Sequence, residues 1–288
     1  MKDILEKRAA IVRGIRRFFD EQGFIEVETA VRIDAPAPEE HIDCPIVQGG
    51  GYLRASPELQ MKKLLAAGMD KIYQIGPCFR EGERGSRHNP EFTMIEWYRR
   101  NATYLDIKDD LESLVSRLMS LREDFRLETK DAREHFETLV VRDAYARYAG
   151  WDPWEDWDQD RFDFDMATKI EPAIREMGGG VFLMDYPVEA ASLAKVRGDV
   201  AERWEFYWDG MELANCFTEL CDGDEQKRRF EKAKEARKLL KESDYPIDNK
   251  FIDCLPQIGS AAGVAMGIDR FVMVLTKTKE ISAVRAVI

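Results

Sequence analysis

The chain has 288 residues, 44% hydrophobic and 34% charged, which suits a globular protein of one large domain or two small ones. It has no run of about 20 apolar residues and no signal-peptide pattern at its charged N-terminus, so it predicts a cytoplasmic protein without a membrane segment. The net charge of −12 disfavours binding to nucleic acid by broad phosphate neutralisation. Five cysteines without a C-x-x-C pair predict reduced thiols, with neither a disulfide framework nor a zinc site.

The first predicted element is an amphipathic helix over residues 4–22, which Gly23 ends. Residues 24–29, FIEVET, alternate as a strand. Further along, a strand end leads into a second helix, with Ser56 as its N-cap and Pro57 as its first helical residue.

Two strand-like runs, 71–79 and 91–100, flank a loop that holds three arginines and a histidine. Strand side chains alternate between faces, so one face carries Phe92, Met94, Glu96 and Tyr98. An aromatic ring, a carboxylate and a phenol therefore stand beside a cationic loop. Such a surface suits a polyphosphate, a base and a substrate ammonium group.

The rest of the chain again mixes helices and strands. The predicted elements are a helix at 105–121, strands at 181–187 and 203–208, a hairpin turn at Asp209-Gly210, a strand at 211–220, a charged helix at 224–241 and a strand and Gly turn entering a helix at Arg270. The Trp- and Asp-rich residues 150–160 are expected to form a surface loop. Adjacent hairpins mixed with helices predict an α+β fold with an antiparallel sheet flanked by helices.

Residues 79–98, FREGERGSRHNPEFTMIEWY, resemble motif 2 of the class II aminoacyl-tRNA synthetases in the lysine-specific branch. Within that branch, the sequence HNPEFTMIEWYR is most similar to that of the stand-alone paralogues that modify elongation factor P. The first helix and strand resemble motif 1, although Ala30 stands where the family usually has Pro, and residues 263–275 resemble motif 3. The resemblance implies one class II catalytic domain over residues 1–288, acting as a homodimer.

The resemblance also implies an ATP site. Arg80 would clamp the substrate carboxylate and the α-phosphate, Arg270 would contact the γ-phosphate, and Phe92 would stack on adenine. Gly82 replaces the usual motif 2 glutamate, and whether Glu81 or Glu83 contacts the base region stays open. The residues expected around ATP are Arg80, Glu81, Gly82, Glu83, His88, Asn89, Phe92, Glu212, Leu213, Gly267 and Arg270. His88 is expected as a hydrogen-bond partner of the nucleotide, not as a general base, and the Gly263 and Gly267 spacing is expected to admit close backbone approach.

Glu212 and Glu219, in MELANCFTEL, match a glutamate pair that the resemblance assigns to Mg²⁺. Carboxylate oxygens suit Mg²⁺ that is also bound to phosphates. A separation of seven residues puts the two on opposite faces of a regular strand. Their cooperation therefore requires that the strand be bulged or end between Ala214 and Thr218.

The resemblance implies a pocket for the amino-acid substrate formed by Ser56, Pro57, Glu58, Glu96, Tyr98, Ala214, Asn215 and Glu219. Several carboxylates in one pocket favour a dibasic amino acid, lysine or (R)-β-lysine. Lysyl-tRNA synthetases typically read E-I-G-N where this chain and the elongation factor P ligases read E-L-A-N. The extra methyl group of Ala214 is consistent with a preference for β-lysine, and neutral variation between Gly and Ala is the alternative.

The acceptor is inferred from what precedes motif 1. Lysyl-tRNA synthetases carry an anticodon-binding domain there, whereas in this chain motif 1 starts almost at Met1. The expected reaction therefore forms a lysyl or β-lysyl adenylate from ATP and transfers the acyl group to a lysine of elongation factor P, with tRNA disfavoured. The alternatives are a truncated lysyl-tRNA synthetase that charges tRNA, and a silent paralogue that only senses an amino acid. The retained phosphate and metal residues disfavour the silent paralogue.

Overall fold

The computed structural model describes residues 2–123, 136–240 and 243–286. In these ranges the strands are β1 (Ile25–Glu26), β2 (Arg32–Ile33), β3 (Tyr52–Leu53), β4 (Lys71–Phe79), β5 (Glu91–Arg100), β6 (Glu137–Val140), β7 (Gly180–Pro187), β8 (Val196–Arg197), β9 (Val200–Trp208), β10 (Met211–Thr218) and β11 (Ala261–Gly267). The helices are α1 (Lys2–Glu21), α2 (Glu58–Ala66), α3 (Tyr104–Ser120), α4 (Val141–Ala144), α5 (Gln159–Asp165), α6 (Glu171–Met177), α7 (Gly223–Leu240), α8 (Asn249–Ile258) and α9 (Ile268–Thr276).

One large sheet organises the described residues. Its strands lie in the order β1-β4-β5-β11-β10-β9-β7-β6, and β8 pairs with β9 outside this path. The pairs β1–β4 and β6–β7 are parallel and the other pairs are antiparallel. The predicted α+β fold is thus confirmed, with parallel pairing at the two edges of a mostly antiparallel sheet.

The main hydrophobic core lies between the central strands and the helices α1, α3 and α9. Ile95 and Trp97 of β5 point into this core, together with Ile15 and Phe19 of α1 and Leu111 of α3. Successive strand residues alternate, so Glu96 and Tyr98 belong to the opposite face. We call that opposite face the site face.

Several predicted boundaries agree with the structure. The β4 and β5 strands span 71–79 and 91–100, as predicted. Asp209 and Gly210 both have positive φ, 49° and 69°, which is the conformation of a two-residue hairpin turn. The chain leaves α1 through Gly23 at φ 75°, where glycine carries no steric penalty.

Other boundaries differ. Of residues 24–29, only Ile25 and Glu26 pair as a strand, at the edge of the sheet beside β4. Helix α2 begins at Glu58 with Pro57 as its N-cap, one residue later than predicted. The Ser56 hydroxyl nevertheless accepts the Glu58 N–H at 2.9 Å, which is the hydrogen bond expected of a capping serine. Helix α9 begins at Ile268, two residues before Arg270, so Arg270 lies in the first helical turn.

The Trp-rich segment 150–160 contributes to packing and is more than a surface loop. Trp151, Trp154 and Trp157 are partly buried against a second hydrophobic cluster, around Tyr145 and Phe162. Helix α7 matches the predicted charged helix from Gly223 to Leu240, and residue 241 lies outside the described ranges. None of the described helices combines the length and apolarity that a membrane span requires.

Candidate active site

A row of directly paired residues crosses the centre of the site face. Gln74 pairs with Glu96, Glu96 with Ala265, Ala265 with Asn215, and Asn215 with Glu205. Residues directly opposite each other in a sheet point to the same side. The row therefore brings two carboxylates and two amides from five strands onto one surface.

At one end of this surface lies a carboxylate cluster, which we define as Glu58, Lys62, Glu96 and Glu219. Glu96 is fully buried and accepts hydrogen bonds from Ser56 Oγ at 2.6 Å and from the Tyr98 hydroxyl at 2.8 Å. Burial raises the pKa of Glu96 to about 8, and the charge of Glu58 adds to this, against the two hydrogen bonds.

Lys62 connects the other two carboxylates of the cluster. Its ammonium group is fully buried, donates to Glu58 Oε1 at 2.6 Å and forms an ion pair with Glu219. Burial alone would lower the pKa of Lys62, but Glu219 and Glu58 outweigh burial and raise it. Burial raises the pKa of Glu219 to about 7 in spite of Lys62, and the nearby Glu58 charge adds to the rise.

The loop between β4 and β5 holds the cationic part of the site. The Arg80 guanidinium lies 5.3 Å from the centroid of the Phe92 ring and 3.5 Å from Glu83 Oε1. Two buried donors of this loop, Arg80 Nε and Asn89 Nδ2, have no hydrogen-bond partner among the described residues. Buried donors are normally paired, so these two atoms fit a ligand that brings acceptor oxygens or nitrogens.

Arg270 joins α9 to this loop and to β10. It donates to the backbone oxygen of Arg87 at 3.2 Å and to that of Glu212 at 3.1 Å. Its Nη2 also lies 2.5 Å from His88 Nε2. Burial and the charge of Arg270 lower the pKa of His88, so the imidazole is neutral and accepts this hydrogen bond.

Glu212 and Glu205 form a second acidic pair. Burial raises the pKa of Glu212 to about 7, and the charge of Glu205 adds to the rise, against Arg270. Glu205 accepts from Arg203 at 2.5 Å and from the Tyr207 hydroxyl at 2.6 Å. Both glutamates, with Arg203, line one cavity of about 710 Å³.

The structure places Glu212 and Glu219 in different surroundings. The register of β10 shifts between Glu212 and Ala214, and from Ala214 to Thr218 its pairing with β11 is unbroken. Glu219 follows the strand and joins Lys62, whereas Glu212 stays beside Glu205 and Arg270. The predicted irregularity between Ala214 and Thr218 is wrong, because the shift lies before Ala214, and it leaves both glutamates on the site face. Their separate ion-pair partners do not support one metal ion shared between them, which stays a prediction.

Comparisons with known proteins agree with this geometry. The family described as tRNA synthetases class II (D, K and N) matches residues 1–287. The chain belongs to this class II family. Among curated proteins it is similar to the elongation factor P--(R)-beta-lysine ligases of Yersinia enterocolitica, at 37% identity, Proteus mirabilis, at 36%, and Sodalis glossinidius, at 35%. Each match covers 98% of this chain and 94% of the relative.

Two residues expected in this class II site point elsewhere or have another role. Ala214 pairs with Met266 and lies in the main core, on the face opposite Asn215, so its methyl group does not border the site face. A Cβ at Gly263 would come within 2.1 Å of the Tyr98 ring, so this glycine makes room for Tyr98. No role for Gly263 in nucleotide approach follows from its position.

The remaining expected residues are placed as follows. Asn215 Oδ1 accepts from Arg203 at 3.2 Å, and Pro57 is the N-cap of α2. Leu213 is buried in the main core, so only its backbone can face a ligand. Gly82 has φ 77°, a conformation that glycine adopts without strain, and this accounts for glycine at the place of the family's usual glutamate. Glu81 is exposed, and Gly267 is the N-cap of α9, three residues before Arg270.

Four charged residues near the site were not predicted from the sequence: Lys62, Glu205, Arg203 and Glu39. The Asp209-Gly210 turn predicts a hairpin, and counting back from this turn places Glu205 opposite the β10 strand. Glu205 could therefore have been found from the sequence. Glu39 belongs to the loop between β2 and β3, and it lines a small cavity together with Ser56 and Glu58. Lys62 had no signal in the sequence, because one lysine in a helix is more often exposed than buried.

Proposed function

We propose that the chain activates lysine or (R)-β-lysine with ATP and transfers the acyl group to a lysine ε-amine of elongation factor P. The observation that carries this proposal is the separation of opposite charges across the site face. Buried carboxylates gather at the cluster around Glu96, and Arg80 and Arg270 lie at the other end. A molecule with ammonium groups at one end and a carboxylate near ATP phosphates fits this division. The relatives named elongation factor P--(R)-beta-lysine ligases support the same substrate and acceptor.

In the activation step, the substrate carboxylate attacks the α-phosphate of ATP and pyrophosphate leaves. Arg80 can hold both reacting groups, because a planar guanidinium donates paired hydrogen bonds to carboxylate and phosphate oxygens. The unpartnered Arg80 Nε and Asn89 Nδ2 supply further donors. Arg270 holds the β- and γ-phosphates, and its hydrogen bond to neutral His88 fixes the guanidinium. The rate gain comes from positioning and charge neutralisation.

Glu212 and Glu205 fit Mg²⁺ that accompanies the ATP phosphates. Burial raises the pKa of Glu212 and the neighbouring charge of Glu205 adds to the rise, so a hard cation beside the two carboxylates would relieve their repulsion. Among the described residues no group of three or more acidic, His or Cys side chains could hold a metal alone, so phosphate oxygens would complete the ligand set. When bound, Mg²⁺ would neutralise charge on the departing pyrophosphate.

In the transfer step, the neutral ε-amine of the acceptor attacks the acyl carbon, the bond to the phosphate oxygen breaks, and AMP leaves. The nitrogen gives up one proton as the amide forms. The enzyme needs no covalent intermediate, because the adenylate is already an activated acyl group. The acceptor must therefore bring its lysine to the adenylate held between Glu96 and Arg80.

Pyrophosphate exchange into ATP tests the activation step separately from the acceptor. Lysine and (R)-β-lysine should support exchange, whereas norleucine, which lacks the side-chain ammonium, and serine should not. Equal exchange with norleucine would contradict the role assigned to the carboxylates.

A further inference from the structure

The carboxylate cluster contains a cation that belongs to the protein itself. Lys62 is 0% exposed, and its ammonium group lies between Glu58 and Glu219. Lys62 lies one helical turn after Glu58 on α2, so the two side chains are neighbours on the helix surface. Glu219 directly follows the last residue of β10. A buried ammonium is costly unless it is paired, and here two carboxylates pair it.

The charges of the cluster can be counted directly. Three carboxylates and one ammonium leave two negative charges when all four groups are ionised. Lysine and β-lysine each carry two ammonium groups at neutral pH. The fully ionised cluster therefore matches a dication, and Lys62 offsets its third negative charge. Because the pKa of Glu96 is raised to about 8, this state is reached when a bound ammonium group displaces the proton of Glu96.

We propose that Lys62 is a positioning and specificity-determining residue, which fixes Glu58 and Glu219 and sets the charge of the cluster to suit a diamino acid. This inference rests on the proposed activation of lysine or β-lysine. Lys62 acts through the two glutamates and does not touch the reacting atoms. Without it, Glu58 and Glu219 would repel each other, and Glu219, whose pKa burial already raises, would take up a proton at neutral pH.

The pH dependence of substrate binding reports this role. The titratable groups near Lys62 come from four parts of the fold: Glu58 of α2, Glu96 and Tyr98 of β5, Glu219 and Cys221 after β10, and Glu39 of the loop between β2 and β3. Removing a cation beside a carboxylate raises the pKa of that carboxylate. In a variant without the Lys62 ammonium group, lysine binding must therefore displace a proton, so the KM of that variant for lysine should fall as the pH rises.

The test compares Lys62→Met with Lys63→Met. Lys63 is the neighbouring residue, but it pairs with Asp248 away from the cluster. In pyrophosphate exchange, Lys62→Met should raise the KM for lysine by about tenfold or more, with a smaller change in kcat, and shift the pH profile of kcat/KM to higher pH. Lys63→Met should change neither the KM nor the profile.

A second variant covers the case in which Lys62→Met does not fold. Lys62→Ala leaves a space into which propylammonium can diffuse. Added propylammonium should lower the raised KM of this variant for lysine part of the way to the unmodified value, whereas neutral propanol should not. An unchanged KM and pH profile in either folded variant would overturn the proposal. Tighter lysine binding would also overturn it, because Lys62 would then compete with the substrate.

Direct binding separates this inference from the proposed function. By calorimetry the unmodified protein should bind 1,5-diaminopentane about tenfold or more tightly than 1-aminopentane, and Lys62→Met should lose most of this difference. If no amino acid supports pyrophosphate exchange, the proposed function fails, and the diamine comparison still decides the role of Lys62. Equal diamine preference in both proteins would overturn the inference.

Discussion

The Glu96 side chain shows how a single residue can be held ready for a cation. It is fully buried, its two oxygens accept hydrogen bonds from Ser56 and Tyr98, and its pKa is raised from 4.5 to about 8. The folded protein therefore retains a proton that the unfolded chain loses at lower pH. A substrate ammonium group would replace that proton, so binding and ionisation are coupled at this residue.

Glu96→Gln removes this ionisation while keeping the size of the side chain. Because the folded pKa is raised, the free energy of unfolding of the unmodified protein should fall as the pH rises from about 5 to about 8. The melting temperature of the variant relative to the unmodified protein should therefore increase over this range, while lysine activation is lost. Thermal melts at several pH values check this, and a difference independent of pH would contradict it.

Arg80 and Arg270 are assigned to charge that develops on phosphates. Arg80→Ala and Arg270→Ala should each lower pyrophosphate exchange by about two to four orders of magnitude, as expected on losing a transition-state charge contact. Arg84→Ala is the matched control, because Arg84 is an exposed arginine of the same loop. Near-normal exchange in both variants would remove the phosphate assignment.

At the scale of elements, the pairing of β10 decides which side chains enter the site. The sequence predicted the β4–β5 hairpin and its faces, because alternation and the charged loop are local signals. It could not show the register shift between Glu212 and Ala214, which depends on pairing with β9. That shift leaves Ala214 in the core and Asn215 on the site face, so the expectation for Ala214 failed although the strand itself was predicted.

Ala265 occupies the position that Ala214 was expected to hold. It lies on β11 between Glu96 and Asn215, and it is partly exposed on the site face. One methyl group changes discrimination between similar substrates by about 1–3 kcal/mol. Ala265→Gly should therefore shift the ratio of activation efficiencies from (R)-β-lysine toward α-lysine. Ala214→Gly is the control and should leave the ratio unchanged. A shift with Ala214→Gly and none with Ala265→Gly would instead assign the preference for β-lysine to Ala214.

Segments that are distant in sequence contact each other at the edge of the site. Arg237 of α7 is 1% exposed and donates to the backbone oxygens of Glu39 and Ile42 and to the Asp43 carboxylate. The Asp43 backbone oxygen in turn accepts the Glu81 N–H at 2.7 Å. Helix α7 is thus connected through one loop to the loop that carries Arg80. No local pattern predicts such contacts, since α7 looks like a solvated charged helix in the sequence.

Arg237→Met should destabilise the protein, because the backbone oxygens of Glu39, Ile42 and Ser243 lose a donor and Asp43 loses its ion pair with Arg237. We expect a loss of about 3 kcal/mol in the free energy of unfolding and a raised KM for ATP. Denaturant unfolding and pyrophosphate exchange measure the two effects. Lys238→Met, at the exposed neighbouring position, should change neither. Unchanged stability of Arg237→Met would show that the loop does not depend on this arginine.

The proposed function joins a dibasic amino acid to a protein acceptor. The most direct measurement incubates the protein with ATP and radiolabelled lysine or (R)-β-lysine, and offers elongation factor P and tRNA as acceptors in separate reactions. Label should appear on elongation factor P, resist hydrolysis as an amide does, and be absent when the acceptor lysine is replaced by arginine. Label on tRNA but not on elongation factor P would contradict the proposed acceptor.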